Sequence, residues 1–417
     1  MFLLYNLLLT LFSPIWVPWM LWRTSKRKEK PNWRERSGDF EIKPDKTKRR
    51  IWVHAVSVGE VVAAVPILKA IREKLPEHET VLSVTTSSGH QTAREKLDGL
   101  FDHLVYFPID VPRFQLAAMS RVRPEVVAIM ETELWFNFLW AAKSFRAKTL
   151  LINGRISDRS FSRSKTFRFF YRALLKNVDR CLMQSEADRD RVLALGAQSA
   201  EVLGNCKFDQ AMEGLDADPA EWRAKLGLEE GKPVLVIGST RSEREEAIML
   251  DAVAEIGLSR IQVIHAPRHL ERAEPLAAVV AERFGTAARR SQDESGPYLI
   301  LDTYGELNHV YSVADIVVIG GGFDDLGGQN LIQPLAHGKP VLHGPYMQNF
   351  RDSSEMARAA GATLVCRDAK ELSEGIRDLL DHPSKRQSMG VAASELVQKN
   401  LGASDRYAEA IAAATAS

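Results

Sequence analysis

Cysteine is scarce. Cys181, Cys206 and Cys366 are the three in 417 residues, widely spaced and with no CxxC pair. That excludes a disulfide framework and a cysteine zinc site, and it suits a reducing compartment. An excess of one charge is lacking too. Lys and Arg number 55 against 54 Asp and Glu, a net charge of +1, which argues against a dedicated nucleic-acid binder. There is no internal repeat and no low-complexity tract. No spaced carboxylate pair of the DxD kind stands in a metal-binding context. Asp324 and Asp325 are adjacent and read as a solvated loop. What is present is a chain with 45% hydrophobic residues, long enough for two domains with full cores.

The N-terminus stands apart. Met1 to Trp22 has no charged side chain and is rich in Leu, Phe and Trp. A helix of that length can cross a hydrocarbon core of about 30 Å. Pro14 and Pro18 would kink it, and Trp16, Trp19 and Trp22 suit an interface. A basic n-region and a small-residue cleavage site are missing, which speaks against a cleaved signal peptide. A membrane-spanning helix and an in-plane anchor both remain open, while the basic flank disfavours a core helix. Arg23 to Arg36 carries seven Lys/Arg against two Glu, so the positive-inside rule places the body on the cytoplasmic side.

After a basic linker over 23–50 the chain alternates strand and helix. Ile51–Ala55 reads as a buried strand, Ser57-Val58-Gly59-Glu60 as a turn, and Val61–Leu75 as a helix. Val81–Thr85, Val126–Met130, Thr149–Asn153 and Arg180–Gln184 add strands. A second series starts at Val234–Ile237, continues through Gln262–His265, and follows a polar linker over 209–222. This pattern predicts doubly wound parallel α/β sheets over 51–208 and 223–400, with a C-terminal helix over 401–417. Ligands in such sheets sit at the carboxyl ends of strands. Asp315–Ile319 is one such strand. Gly320-Gly321-Gly322 follows it, and Gly327-Gly328-Gln329-Asn330 is read as opening a helix whose free amides favour an anion.

HAVSVGE (54–60), ETELW (131–135), NGRISDRS (153–160), GNCKFD (204–209), GST (238–240), PRH (267–269), GEL (305–307), GGQN (327–330) and GKPVLHGP (338–345) occur in that order. Together they resemble the 3-deoxy-D-manno-octulosonic acid (Kdo) transferases over nearly the whole chain. The resemblance implies a GT-B architecture, two Rossmann-like domains facing across a cleft, plus an N-terminal membrane-anchor helix. It implies an inverting transfer of Kdo from CMP-Kdo to the lipid A precursor at the cell inner membrane, with no metal and no cofactor. The partners it implies are the donor, the acceptor and membrane lipid, and no nucleic acid. Glu60 matches the family's catalytic base; spacing alone reads it equally well as a helix-start Glu favoured by the dipole. Glu131 and Lys207 match positions that support the reacting centre, the plain alternative being an interdomain ion pair. Lys207 would hold the donor carboxylate or steady the departing CMP.

For CMP the resemblance points to Pro267, Arg268, Tyr304, Gly305, Glu306 and Asn330. Arg268 offers a fork suited to phosphate, and Gly305 is read as opening a helix towards it. Ser239 and Thr240 end another strand and would add hydroxyl donors, though each alone reads as a helix cap. Gln333 departs from the pattern, because the family usually has Glu there to bond the ribose. Tyr304 and Arg241 replace an expected Met and His, and Phe136 an expected Pro. Residues 153–176 carry seven Lys/Arg against one Asp, interleaved with Phe and Tyr, and read as a surface for membrane and acceptor phosphates or as a solvated basic helix. Two other readings stay open: a GT-B lipid glycosyltransferase using another nucleotide sugar, and a catalytically dead membrane-bound scaffold.

Overall fold

The computed structural model describes residues 1–26, 32–45, 47–212 and 215–416. It divides into two compact units, one formed by Met1–Gln210 with Leu401–Ser417, the other by Ala211–Asn400. The first unit holds strands β1 (Arg50–His54), β2 (Glu79–Val84), β3 (His103–Tyr106), β4 (Val126–Met130), β5 (Lys148–Gly154), β6 (Arg180–Met183) and β7 (Ala200–Val202). They form a parallel sheet in the order β3-β2-β1-β4-β5-β6-β7. The second unit holds β8 (Val234–Thr240), β9 (Gln262–Pro267), β10 (Ala288–Arg289), β11 (Tyr298–Ile300), β12 (Ile316–Ile319), β13 (Val341–His343) and β14 (Thr363–Val365). Their order is β10-β11-β9-β8-β12-β13-β14, again parallel.

Helices cover both faces of the first sheet, so its strands are continuous apolar runs. Ile51 and Val53 of β1 enter one core while Trp52 between them enters the other. Each sheet reverses its strand order at its first strand, between β1 and β4 and between β8 and β12. Crevices open at such switch points, outside the carboxyl ends of the strands.

The sequence-based boundaries need several corrections. The stretch 209–222 is no free linker at its ends. Asp209 accepts from the amides of Gly402 (2.6 Å) and Ser404 (2.7 Å), while Trp222 is buried in the second unit and stacks on His309. Parts of the described stretch of 23–50 pack on the first unit. Phe40 and Ile42 lie in the first core, and the Glu35 carboxylate accepts from the Tyr106 amide at 2.6 Å. The segment 327–330 is irregular chain, since the helix after it covers only Ile332–Ala336.

The C-terminal helix Ala403–Thr415 belongs to the first unit. Tyr407 is fully buried there, and its hydroxyl donates to Gly204 O at 2.7 Å. Tyr407→Ala should therefore cost about 3–5 kcal/mol by cavity formation. Urea unfolding reads this directly, and a loss below about 1 kcal/mol would mean that the helix adds nothing to that core.

Among the described residues no single helix is long and apolar enough to cross a membrane. Helices Phe2–Leu11 and Ser13–Lys26 meet instead at a bend, and the pair Phe2–Leu11 with Ser13–Trp22, bent by 65°, passes that test by length and composition. Pro14 explains the break, because it has no amide for the carbonyl of Thr10 and its ring crowds that carbonyl. The Ser13 hydroxyl caps Thr10 O at 2.7 Å, and the Trp16 indole donates to Leu9 O at 2.9 Å. One face of the first helix is docked: Tyr5 donates to Asp110 at 2.9 Å, Asn6 pairs with Asn137, and Phe2 packs on Trp140. Contrary to the sequence-based expectation, part of this segment is thus packed on the core.

Candidate active site

The two crevices start from the same local device. Ser57 caps the Val58–Lys74 helix, and Ser242 caps the Glu243–Ile256 helix; each is followed three residues later by Glu, the capping-box spacing. In both boxes the Glu side chain reaches back to an amide four residues earlier. Val56 N donates to Glu60 at 2.9 Å, and Arg241 N donates to Glu245 at 3.0 Å.

The two carboxylates then part company. Glu245 is fully buried and also accepts from Gly321 N and Phe323 N, each at 2.9 Å. It pins the glycine turn after β12. Glu60 is half-buried, and among the described residues its second oxygen takes only the Ser57 hydroxyl, at 3.1 Å. Burial raises its proton affinity to about 7, against the Val56 bond and with help from the charges of Glu131 and Glu133. A carboxylate poised there is suited to take a proton near neutral pH.

Glu131 follows β4, across the switch point from Glu60. Its φ is 55°, and Asn153 at the end of β5 has φ 49°. Left-handed conformations in such residues cost about 1–3 kcal/mol and gather at functional sites. Lys207 Nζ lies 3.6 Å from Glu131 Oε1. This ion pair lies within the first unit, so the interdomain alternative does not apply. The GNCK turn presents Lys207 through its neighbours. Asn205 accepts from Lys207 N at 3.0 Å and donates to Gln184 at 3.0 Å, and Cys206 N donates to Asn153 at 3.3 Å. Glu133 was missed in the sequence. It is a third carboxylate here, raised above its usual range first by burial and then by Glu131. The Glu-Thr-Glu spacing was the available signal.

In the second unit Ser239, Thr240, Pro267 and Arg268 lie at the carboxyl ends of β8 and β9. Arg268 is exposed, and its amide donates to Thr240 O at 2.8 Å. Ser239 is half-buried with φ 62°. Thr240 is fully buried, and its hydroxyl pairs with His265, which in turn pairs with Tyr298. The glycines serve close approach. A Cβ on Gly320 would sit 2.7 Å from Thr240 Cα, and one on Gly344 2.0 Å from Gly322 O.

Gly305, with φ 84°, precedes a helix of only four residues, Leu307–Val310, so its anion-binding capacity is smaller than read from sequence. Tyr304 is 81% exposed. The Glu306 carboxylate is already held. Burial opposes its charge, but Thr303, Arg290 and Lys225 outweigh that and keep it below the usual carboxylate range. The Asn330 side chain accepts from Ile332 N at 2.9 Å, and Gln333 lies half-buried on the helix Ile332–Ala336. The second crevice thus collects Ser239, Arg268 and the glycine turns. Glu245, which holds the turn, was legible only as part of an acidic helix start.

Comparison with known proteins agrees with this layout. A family profile described as 3-deoxy-D-manno-octulosonic-acid transferase (kdotransferase) matches residues 31–210. The chain is 34% identical over 380 residues to 3-deoxy-D-manno-octulosonic acid transferase of Bordetella pertussis, covering 87% of this chain and 86% of that one. It is 32% identical over 341 residues to the enzyme of the same name from Chlamydophila psittaci, covering 80% and 78%. Among solved structures, a putative UDP-N-acetylglucosamine 2-epimerase from Listeria monocytogenes superposes with a TM-score of 0.61 at 17% identity, over 88% of this chain and 96% of that one. A glycosyltransferase from Rickettsia africae gives 0.59 at 13% identity, over 89% and 98%. These likenesses are of fold, the GT-B class of two Rossmann-like units.

Proposed function

The chain belongs to the 3-deoxy-D-manno-octulosonic acid (Kdo) transferase family, and on that premise we propose an inverting, metal-independent transfer of Kdo from CMP-Kdo to the lipid A precursor in lipopolysaccharide biosynthesis. The observation that carries the mechanism is the state of Glu60, a half-buried carboxylate with proton affinity raised to about 7 at a strand-order switch point. In this reading Glu60 takes the proton of the acceptor hydroxyl as its oxygen bonds to the ketosidic carbon of Kdo. The bond from that carbon to the phosphate breaks, and CMP leaves with the electron pair. Lys207, steadied by Glu131, supplies a fixed cation where charge develops, which needs no reorganisation during the step. Arg268 and the glycine turns receive CMP.

The bent N-terminal pair is the anchor to the inner membrane in this reading, with the body on its cytoplasmic side. Its support is an outer face where Leu3, Leu7, Leu11, Ile15 and Trp22 are exposed. Phe167 and Phe169 are exposed beside the basic residues of 153–176 and add a second lipid-facing patch.

The donor is tested at Gln333. If its amide oxygen accepts one ribose hydroxyl bond, Gln333→Glu should tighten CMP by about 1 kcal/mol, the difference between charged and neutral hydrogen bonds. The gain should fall on the donor KM rather than on kcat. Calorimetric titration of CMP and UDP into both forms decides. Preference for UDP would favour another nucleotide sugar, no binding of either would favour a scaffold, and weaker CMP binding by the Glu form would refute this use of Gln333.

A further inference from the structure

Under the bent N-terminal pair lies a cavity of about 250 Å³ that the mechanism above does not use. Leu9, Trp16 and Met20 line it from the two helices, and Phe107, Ile109 and Trp135 from the first unit. The charged groups at its walls are engaged, while the buried Thr85 hydroxyl has no partner among the described residues. Asp110 accepts from Tyr5, Asn137 N and Phe138 N, and Arg36 donates to Thr85 O at 2.6 Å while lying over the Tyr106 ring. What faces the space is mostly hydrocarbon and aromatic surface. The outer face of the same helices carries the exposed Leu3, Leu7, Leu11 and Ile15, so the cavity sits directly beneath the lipid-facing surface.

The cavity also borders the reacting residues. Thr85 lines it, and the next residue, Thr86, donates to Val56 O in the turn that carries Glu60. Trp135 lines it and closes the segment that carries Glu131 and Glu133. The apolar cavity thus adjoins both the N-terminal helices and the two segments at the β1/β4 switch point. The geometry points to a slot for one acyl chain of the acceptor, which draws that chain out of the bilayer and brings its sugar to Glu60. This rests on the functional reading above. It adds that acceptor selection depends on the hydrocarbon chain and not only on sugar and phosphate.

The test uses the full chain in vesicles with a lipid A precursor bearing a diazirine at the end of an acyl chain. After irradiation, peptide mass spectrometry should find label on Leu9, Trp16, Met20 or 107–109. Label confined to the outer face, at Leu3, Leu7 or Ile15, overturns the slot. So does cavity labelling by a diazirine phospholipid that excess acceptor fails to displace, since the space would then hold bulk lipid. In the kinetic arm, Leu9→Trp and Met20→Trp narrow the slot from the helix side. Each methylene denied burial forfeits roughly fourfold, so the KM for the acylated acceptor should rise about tenfold or more. The KM for the same disaccharide stripped of its chains should stay unchanged. Equal effects on both acceptors, or on neither, count against the slot and leave Kdo transfer standing. If the unaltered protein transfers to neither acceptor, the functional reading fails, and the labelling pattern still decides the slot.

Discussion

Glu60→Gln is expected to slow turnover by roughly 10²–10⁴-fold, the usual contribution of a positioned general base, while CMP still binds. The substitution is selective because Gln serves a capping box as well as Glu does. The bond from Val56 N and the contact with Ser57 can persist, so the helix start survives and only proton acceptance is lost. In the parent protein kcat/KM should fall as pH drops through about 7, where Glu60 becomes protonated. Stability should move the opposite way. Burial and the neighbouring carboxylates raise the affinity of Glu60 for its proton above the unfolded value. That stability is present in acid and is lost as pH rises through about 7. Glu60→Gln should therefore melt higher than the parent on the alkaline side of this window, with the difference fading on the acid side. A slower but more stable variant marks a functional carboxylate. A variant of near-normal turnover would mean that Glu60 is only a cap.

Lys207→Met is expected to lower kcat by about 10²–10³-fold, the range seen when a preorganised group that stabilises developing charge is removed. A second readout separates this from mere loss of an ion pair. Glu131 lies 3.6 Å from Lys207 and acts on Glu60 through its charge. Without the cation that charge is unscreened, Glu60 holds its proton more tightly, and the acid limb of the residual activity should shift to higher pH. A lower melting temperature with unchanged kcat and an unmoved pH profile would assign the pair to structure alone.

Most of the sheet was legible because its strands are buried runs bounded by turn residues. Val126–Met130 was read to the residue, and β1, β2, β5 and β8 within a few. β3, β7, β10, β11 and β14 were not read. They span two to four residues each, too short for a periodicity to register. The place of the C-terminal helix was beyond local reading, because Tyr407 meets Gly204 across 203 positions of sequence. The bend in the N-terminal segment was signalled by Pro14, but the docking of Tyr5 on Asp110 was not. Glu60 and Glu245 are instructive as a pair. The same capping box signals both, and only the distant amides of Gly321 and Phe323 tell the structural carboxylate from the available one. Thr240 shows the converse: a hydroxyl at a strand end looks like a ligand donor until a buried His265 claims it.

The central claim is tested most directly by incubating the full chain with CMP-Kdo and lipid A precursor and weighing the lipid product by mass spectrometry. The acceptor should gain whole Kdo residues with release of CMP, and Glu60→Gln should suppress that gain. An acceptor that remains unchanged with CMP-Kdo but gains a sugar from a UDP donor would contradict it.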